Sequence, residues 1–230
     1  MKTRNVLPTA ALAAALFSAP SFAGIDKVYG PQVELGELEL EMRGIHGLES
    51  SDAHEVKFAV GYGVTQNWFV EGYLIGEKED GKFEIEEVEI ENKFQLSEAG
   101  EYWADFGALV EIEKELEYDL WEFKAGPIIQ KRFGKLVATA NIFLEKQFGD
   151  DRTEDELEAL GSMQVKYRMG PSLEPAVEYY VDEYTQAIGP ALLGNTRFGD
   201  SKMKWELGVM FGLNDTTEDA TLRWQTEFEF

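Results

Sequence analysis

Leu222-Arg223-Trp224-Gln225-Thr226-Glu227-Phe228-Glu229-Phe230, the last stretch of the chain, decides the fold. Side chains of an extended strand alternate between its two faces. Leu222, Trp224, Thr226, Phe228 and Phe230 therefore share one side, and Arg223, Gln225, Glu227 and Glu229 share the other. An apolar, aromatic row opposite a charged row suits a strand with lipid on one face and water on the other.

Working backwards, the same alternation recurs. Trp205, Leu207, Val209 and Phe211 face away from Lys204, Glu206 and Gly208; Val177, Tyr179 and Val181 from Glu178, Tyr180 and Asp182; Met163, Val165, Tyr167 and Met169 from Gln164, Lys166 and Arg168. Leu136, Ala138, Ala140, Ile142 and Leu144 form another apolar row, as do Trp121, Phe123, Ala125, Pro127 and Ile129. Earlier rows are Tyr102 to Ile112 in steps of two, Val88-Ile90-Phe94-Leu96, Trp68-Val70-Gly72-Leu74, Val56 to Val64, and Leu38-Leu40-Met42. Val33 and Leu35 fall out of phase with that first row, so Gly36 marks a bulge or the strand start. Residues 187–197 are the least regular, carrying Gly189, Pro190 and Gly194. The pattern predicts an all-β, antiparallel transmembrane barrel of about 12 strands, each long enough to cross a bilayer when tilted.

The connections fit that reading. Turns such as Thr65-Gln66-Asn67, Ser97-Glu98-Ala99-Gly100, Arg132-Phe133-Gly134 and Gly170-Pro171-Ser172 are expected to alternate with longer, more acidic loops at residues 44–52, 77–82, 113–119, 149–156 and 214–220. Such alternation with an even strand count is a barrel signature. Aromatics gather at the expected short-turn rim, namely Tyr62, Trp68, Phe94, Tyr102, Tyr167, Trp205, Phe228 and Phe230, as in an interfacial girdle.

Residues 1–23 read as a cleaved signal peptide. Lys2 and Arg4 are the positive region, Val6 to Phe17 the apolar region, and Ser21-Phe22-Ala23 a small-x-small cleavage site. Residues 24–230 then form one domain. Removing Lys2 and Arg4 takes the formal charge from −23 to −25. So acidic a chain is no partner for nucleic acid. It has no cysteine, hence neither disulfides nor thiol chemistry.

With apolar rows toward lipid, the charged rows line the interior. Glu37, Glu39, Glu41, Glu55, Glu71, Glu87, Glu89, Glu91, Asp105, Glu122, Glu178, Asp182 and Glu206 are the acidic candidates, joined by Glu111, Glu145, Glu227 and Glu229; Lys124, Lys166, Arg168 and Arg223 are basic candidates, with Arg43, Lys57, Lys93 and Lys204. Excess carboxylates favour cations, so the expected function is a passive channel for small solutes with a cation-favouring lumen. The alternative is a non-conducting barrel filled by its own side chains, serving a structural or surface role. No connection is long enough to be an obvious folded plug.

An enzyme is not expected. His46 and His54 bound a loop holding Ser50, Ser51 and Asp52, but no GxSxG elbow occurs. No cofactor is expected, and two imidazoles alone are poor support for a metal centre. The acidic loops lack the spacing of an EF-hand.

The stretch from Gly189-Pro190-Ala191-Leu192-Leu193-Gly194 through residues 204–213 to the end resembles a family of uncharacterised proteobacterial outer-membrane proteins, some labelled transporter-like and found beside aromatic-compound degradation proteins. The aromatic ending also resembles the assembly signal of bacterial outer-membrane barrels, with Trp224, Phe228 and Phe230 as the matching positions. These resemblances imply an outer-membrane location, contact with the bilayer and lipopolysaccharide, and reading by the assembly machinery.

Overall fold

The computed structural model describes residues 24–48, 54–79, 82–153, 155–170, 172–199 and 201–230. The expected leader, and Ser50, Ser51 and Asp52, lie outside them. Twelve strands follow in order: β1 Leu38–Gly47, β2 His54–Thr65, β3 Trp68–Glu79, β4 Lys82–Gln95, β5 Asp105–Glu115, β6 Trp121–Phe133, β7 Leu136–Phe148, β8 Glu158–Tyr167, β9 Glu174–Val181, β10 Gln186–Phe198, β11 Ser201–Gly212 and β12 Ala220–Glu229. Each pairs antiparallel with its neighbours, and β1 pairs with β12, closing an all-β barrel. Closure matters because an open edge in lipid leaves backbone groups unsatisfied.

The seam joins the chain's two ends. Glu39 lies opposite Glu229, Met42 opposite Thr226 and Gly47 opposite Thr221. Leu38 and Phe230 exchange both backbone hydrogen bonds, at 3.3 and 2.9 Å. Trp224 faces Gly44, and its indole lies 2.9 Å from where a Cβ of Gly44 would stand. Trp205 covers Gly194 in the same way between β10 and β11. In both pairs a large lipid-facing ring fills the gap left by a glycine on the next strand.

The expected irregular tenth strand is a full strand. Gly189-Pro190 pairs continuously with β9 but drops out of the ladder to β11, which runs from Ile188↔Phe211 straight to Ala191↔Gly208. Gly126-Pro127 does the same in β6, pairing with β5 and skipping β7 between Ala125↔Leu144 and Ile128↔Asn141. Proline has no N–H to give. The preceding glycine lets the next strand's carbonyl approach, since a Cβ would meet Ile142 O at 2.0 Å or Val209 O at 1.8 Å.

Other details differ from expectation. β5 starts at Asp105, and residues 96–104 form the connection before it, leaving Tyr102 and Trp103 exposed at the rim. The expected long loop at 77–82 is mostly strand, because pairing continues to Glu79↔Lys82. A bulge at Glu86, between Ile75↔Glu87 and Gly76↔Ile85, turns Phe83 and Ile85 onto the same outer face as Val88 and Ile90. The length contrast between the two sets of connections is consequently weaker than the sequence pattern implied. The aromatic rim is present, with Tyr62, Tyr102, Tyr167, Phe228 and Phe230 exposed and Trp68 stacked on Phe94.

The seam can be tested by a disulfide. Glu39 and Glu229 form a closely spaced non-hydrogen-bonded pair, the geometry that accepts a cross-link. Glu39→Cys with Glu229→Cys should form an intramolecular disulfide on oxidation, seen as a reductant-sensitive gel shift of the folded monomer. Intermolecular dimers alone would show that the two edges do not meet.

Candidate functional site

The lumen is not empty of chain. Residues 24–34 run inside it, from the end holding the β9–β10 connection to the end where β1 and β12 meet. We call the latter the terminal end and the former the far end. Gly24 packs against Asp182 and Thr185 at the far end, whereas the Val33 N–H donates to Gln95 Oε1 and Glu34 turns beside Gly63 at the terminal end. Ten extended residues reach roughly 33–36 Å, about the thickness of a bilayer's hydrocarbon core. The turn back into the wall uses Gly36 at φ +80°, whose N–H donates to Gly63 O. A Cβ on Gly63 would sit 1.9 Å from Glu34 O.

Ile25, Asp26, Lys27, Tyr29 and Gln32 each have a seat of their own. Ile25, buried, packs among Ala176, Tyr180, Ala187, Ala191, Leu193 and Met210. Tyr29 joins Leu109, Ile128 and Phe143, its ring edge-on to Phe143 at 5.9 Å. Asn141 clamps the Tyr29 backbone, accepting from its N–H at 2.8 Å and donating to its C=O at 2.9 Å. Lys27 donates to Glu41 at 2.8 Å and to the Tyr73 hydroxyl at 2.9 Å, and lies 3.7 Å from Glu71. Asp26 takes Arg43, at 3.0 Å. Gln32 donates to Gln130 at 3.0 Å. Among the described residues, no strand pairs with residues 25–33.

This segment corrects two expectations. A plug exists, although no connection between strands supplies it. The interior is also not uniformly charged: Leu109, Ile128, Phe143 and Met210 point inward to receive Ile25 and Tyr29. Each sits in a run of consecutive apolar residues, Ala108-Leu109-Val110, Ile128-Ile129, Ile142-Phe143-Leu144 and Val209-Met210-Phe211. Such runs, where the polar row lapses, were the available signal.

Most candidate lining residues do face inward. Glu39, Glu41, Glu71, Glu89, Glu91, Asp105, Glu178 and Arg223 are buried. Arg223 of β12 crosses to β9, donating to both oxygens of Glu178 at 3.1 and 2.7 Å and to Glu206 at 2.6 Å. Gln164 and the Tyr180 hydroxyl complete the Glu178 shell at 2.7 and 2.9 Å. Gln225 donates to Glu41 at 2.9 Å. Lys204 holds Glu227 at 2.9 Å and also Glu229, and Lys202 holds Glu229 at 2.8 Å. Lys124 pairs with Glu111 at 2.7 Å, Lys166 with Glu174 at 3.3 Å, and Asp105 with Arg132 at 3.3 Å. Glu55, Glu87, Glu122 and Glu145 lie in the far halves of β2, β4, β6 and β7, near Lys57 and Lys124.

Three candidates sit differently. Asp182 lies beyond β9, where its Oδ1 accepts from the Tyr184 and Thr185 N–H groups and shapes the β9–β10 turn. Arg168 lies beyond β8 at the exposed terminal rim, 3.5 Å from Glu174. Glu37 lies just before β1 beside Glu39 and Glu229. His46 and His54 are cross-strand neighbours with stacked rings, centroids 3.9 Å apart, at the far end and on the outward phase of β1. Sequence reading missed Glu113, which continues β5 inward instead of opening a loop.

No protein-family model and no curated protein matches the chain. Solved structures do match in shape. A KdgM porin in complex with disordered oligogalacturonate superposes with TM-score 0.57 at 7% identity, covering 84% of this chain and 98% of that one. An outer-membrane channel from Pseudomonas putida F1 gives TM-score 0.57 at 14% identity, covering 90% and 100%. A second KdgM porin structure gives 0.54 at 8% identity, covering 84% and 98%. The chain has the fold of bacterial outer-membrane barrels.

Arg223 offers a direct test of the lumen network. Arg223→Ala leaves the buried Glu178 and the half-buried Glu206 without their cation and should destabilise the barrel by about 3–5 kcal/mol. Urea unfolding in lipid vesicles, followed by tryptophan fluorescence, should show the loss, and adding Glu178→Gln should restore part of it. An unchanged midpoint for Arg223→Ala would contradict the pairing.

Proposed function

We propose that this protein is a passive channel of the bacterial outer membrane for small polar solutes, favouring cations, with residues 24–34 holding the lumen closed. The observation that carries the reading is that the ladder around the barrel is complete without the segment. Side chains and apolar seats hold the segment, so its departure breaks no strand pairing. On either side of it the lumen is polar. One cavity of about 290 Å³ is bounded by Lys27, Gln32, Gln130, Gln164, Lys204 and Gln225. Another of about 290 Å³ lies among Gln130, Arg132, Lys166, Glu174 and Asn195 toward the terminal end.

The preference for cations rests on the far half, where Glu55, Glu122 and Glu145 add to the carboxylates of β4 and β5. Rings of carboxylates concentrate cations and repel anions. Likeness to porins and an outer-membrane channel supports transport over catalysis. The stacked histidine pair faces away from the lumen and lies near no cavity described above. The outer location rests on the apolar outer face, the aromatic rim and the leader pattern of residues 1–23. Phe228 and Phe230, exposed at the terminal rim, are available for assembly machinery to read, and the outer rim for lipopolysaccharide. A second reading, a permanently plugged barrel, is favoured by how deeply Ile25 and Tyr29 are buried, at 1% and 4% exposure.

Planar-bilayer recording under a salt gradient distinguishes the two. The refolded barrel should give discrete steps with a cation-selective reversal potential, and Glu55→Gln with Glu122→Gln and Glu145→Gln should move that potential toward zero. A silent bilayer with folding confirmed by heat-modifiable migration would leave the plugged barrel. Anion-selective steps would overturn the cation preference.

A further inference from the structure

Two adjacent strands place like charges face to face inside the barrel. In the β4–β5 register Glu89 lies opposite Glu113, and Glu91 lies opposite Glu111. Carboxylate oxygens of Glu89, Glu111 and Glu113 all come within 4.8 Å of one another. Like charges directly opposite destabilise a sheet, and burial out of water sharpens the cost.

The protein's own cations do not resolve this cluster. Lys124 takes one oxygen of Glu111 at 2.7 Å. Lys57 lies 3.5 Å from Glu89 and is shared with Glu55 at 3.9 Å. Glu89 is only 2% exposed, yet neither of its oxygens accepts a hydrogen bond from any protein group, and the second oxygen of Glu111 is likewise without a donor. Other acidic groupings along the wall differ. Around Glu41 and Glu71 the donors are Lys27, Arg43, Gln225 and Tyr73. Around Glu229 they are Lys202 and Lys204. Only the β4–β5 grouping presents a buried carboxylate with both oxygens undonated, among the described residues.

We propose that Glu89, Glu111 and Glu113 form a calcium-binding site in the lumen wall. The donor set is all carboxylate oxygen, which suits a hard cation and not zinc or copper. Calcium takes six to eight oxygens at about 2.3–2.6 Å, so oxygens on opposite sides of the ion stand about 4.6–5.2 Å apart. The observed spread fits inside that limit. With one Glu111 oxygen held by Lys124, the three carboxylates supply up to five oxygens, and water completes the shell. The bound ion converts cross-strand repulsion between β4 and β5 into a bridge. None of this requires the lumen to conduct.

Isothermal titration of calcium into the refolded full barrel in detergent, after chelator treatment, tests the site. Wild type should show one saturable site. Glu89→Gln with Glu113→Gln should weaken it at least tenfold, and Asp215→Asn with Asp219→Asn in the exposed β11–β12 connection should leave it unchanged. Folding is checked by heat-modifiable migration; if the double variant fails that check, the half-buried Glu113→Gln alone should still weaken binding. Absence of saturable binding in wild type would overturn the proposal. So would affinity untouched by the glutamine variants, or affinity lost in the connection variant.

Discussion

A carboxylate taken out of water must find a cation or a hydrogen-bond donor, and the interior of this barrel is built around that demand. Closing a sheet with an acidic inner face brings glutamates from facing strands into one confined space. Two solutions are visible. Across β9, β11 and β12 the wall answers itself, with Arg223 gripping Glu178 and Glu206. Around Glu41 and Glu71 the answer comes from the lumenal segment, which delivers Lys27 to both acids while Asp26 meets Arg43. The segment is therefore part of the charge balance of the wall and not merely a filler. Its departure would leave buried acids short of a cation, and incoming water or a passing cation would have to replace it.

Apolar seating works beside the electrostatics. Ile25 and Tyr29 enter two inward clusters, one on β9 to β11 and one on β5 to β8. A purely polar wall would hold a polar strand weakly, because water competes for every hydrogen bond. Burying two large side chains adds a contribution that water does not contest. Asn141 then fixes the register by holding both backbone groups of Tyr29. The hold combines a firm seat with complete independence from the ladder, and that combination suits a closure that can leave.

The sequence carried the wall and concealed its contents. Lipid on one side and water on the other impose a two-residue period, which is why residues 222–230 and their eleven counterparts could be read. Trp224 and Phe228 needed no partner to be recognised as lipid-facing. Gly189-Pro190 confused the reading because it lacks that period, yet it only interrupts one ladder. Residues 24–34 have neither lipid nor bulk water as a fixed neighbour, so no period is imposed on them. Part of what they touch lies far along the chain, as Asn141 does from Tyr29. Asp182 misled for another reason: its phase is right, but its carboxylate serves a turn. Glu113 reads as loop because acidic density resembles a solvated connection, whereas in the barrel it continues the inward row.

Closure by the segment is the central claim, and single-channel conductance tests it most directly. A chain in which residues 25–34 are replaced by glycine and serine at equal length keeps every strand but loses both apolar seats and Lys27. The account predicts that this chain stays open for a much larger share of the recording than the unaltered chain, with the barrel still folded. An equal open fraction would contradict it, showing that the segment does not close the lumen.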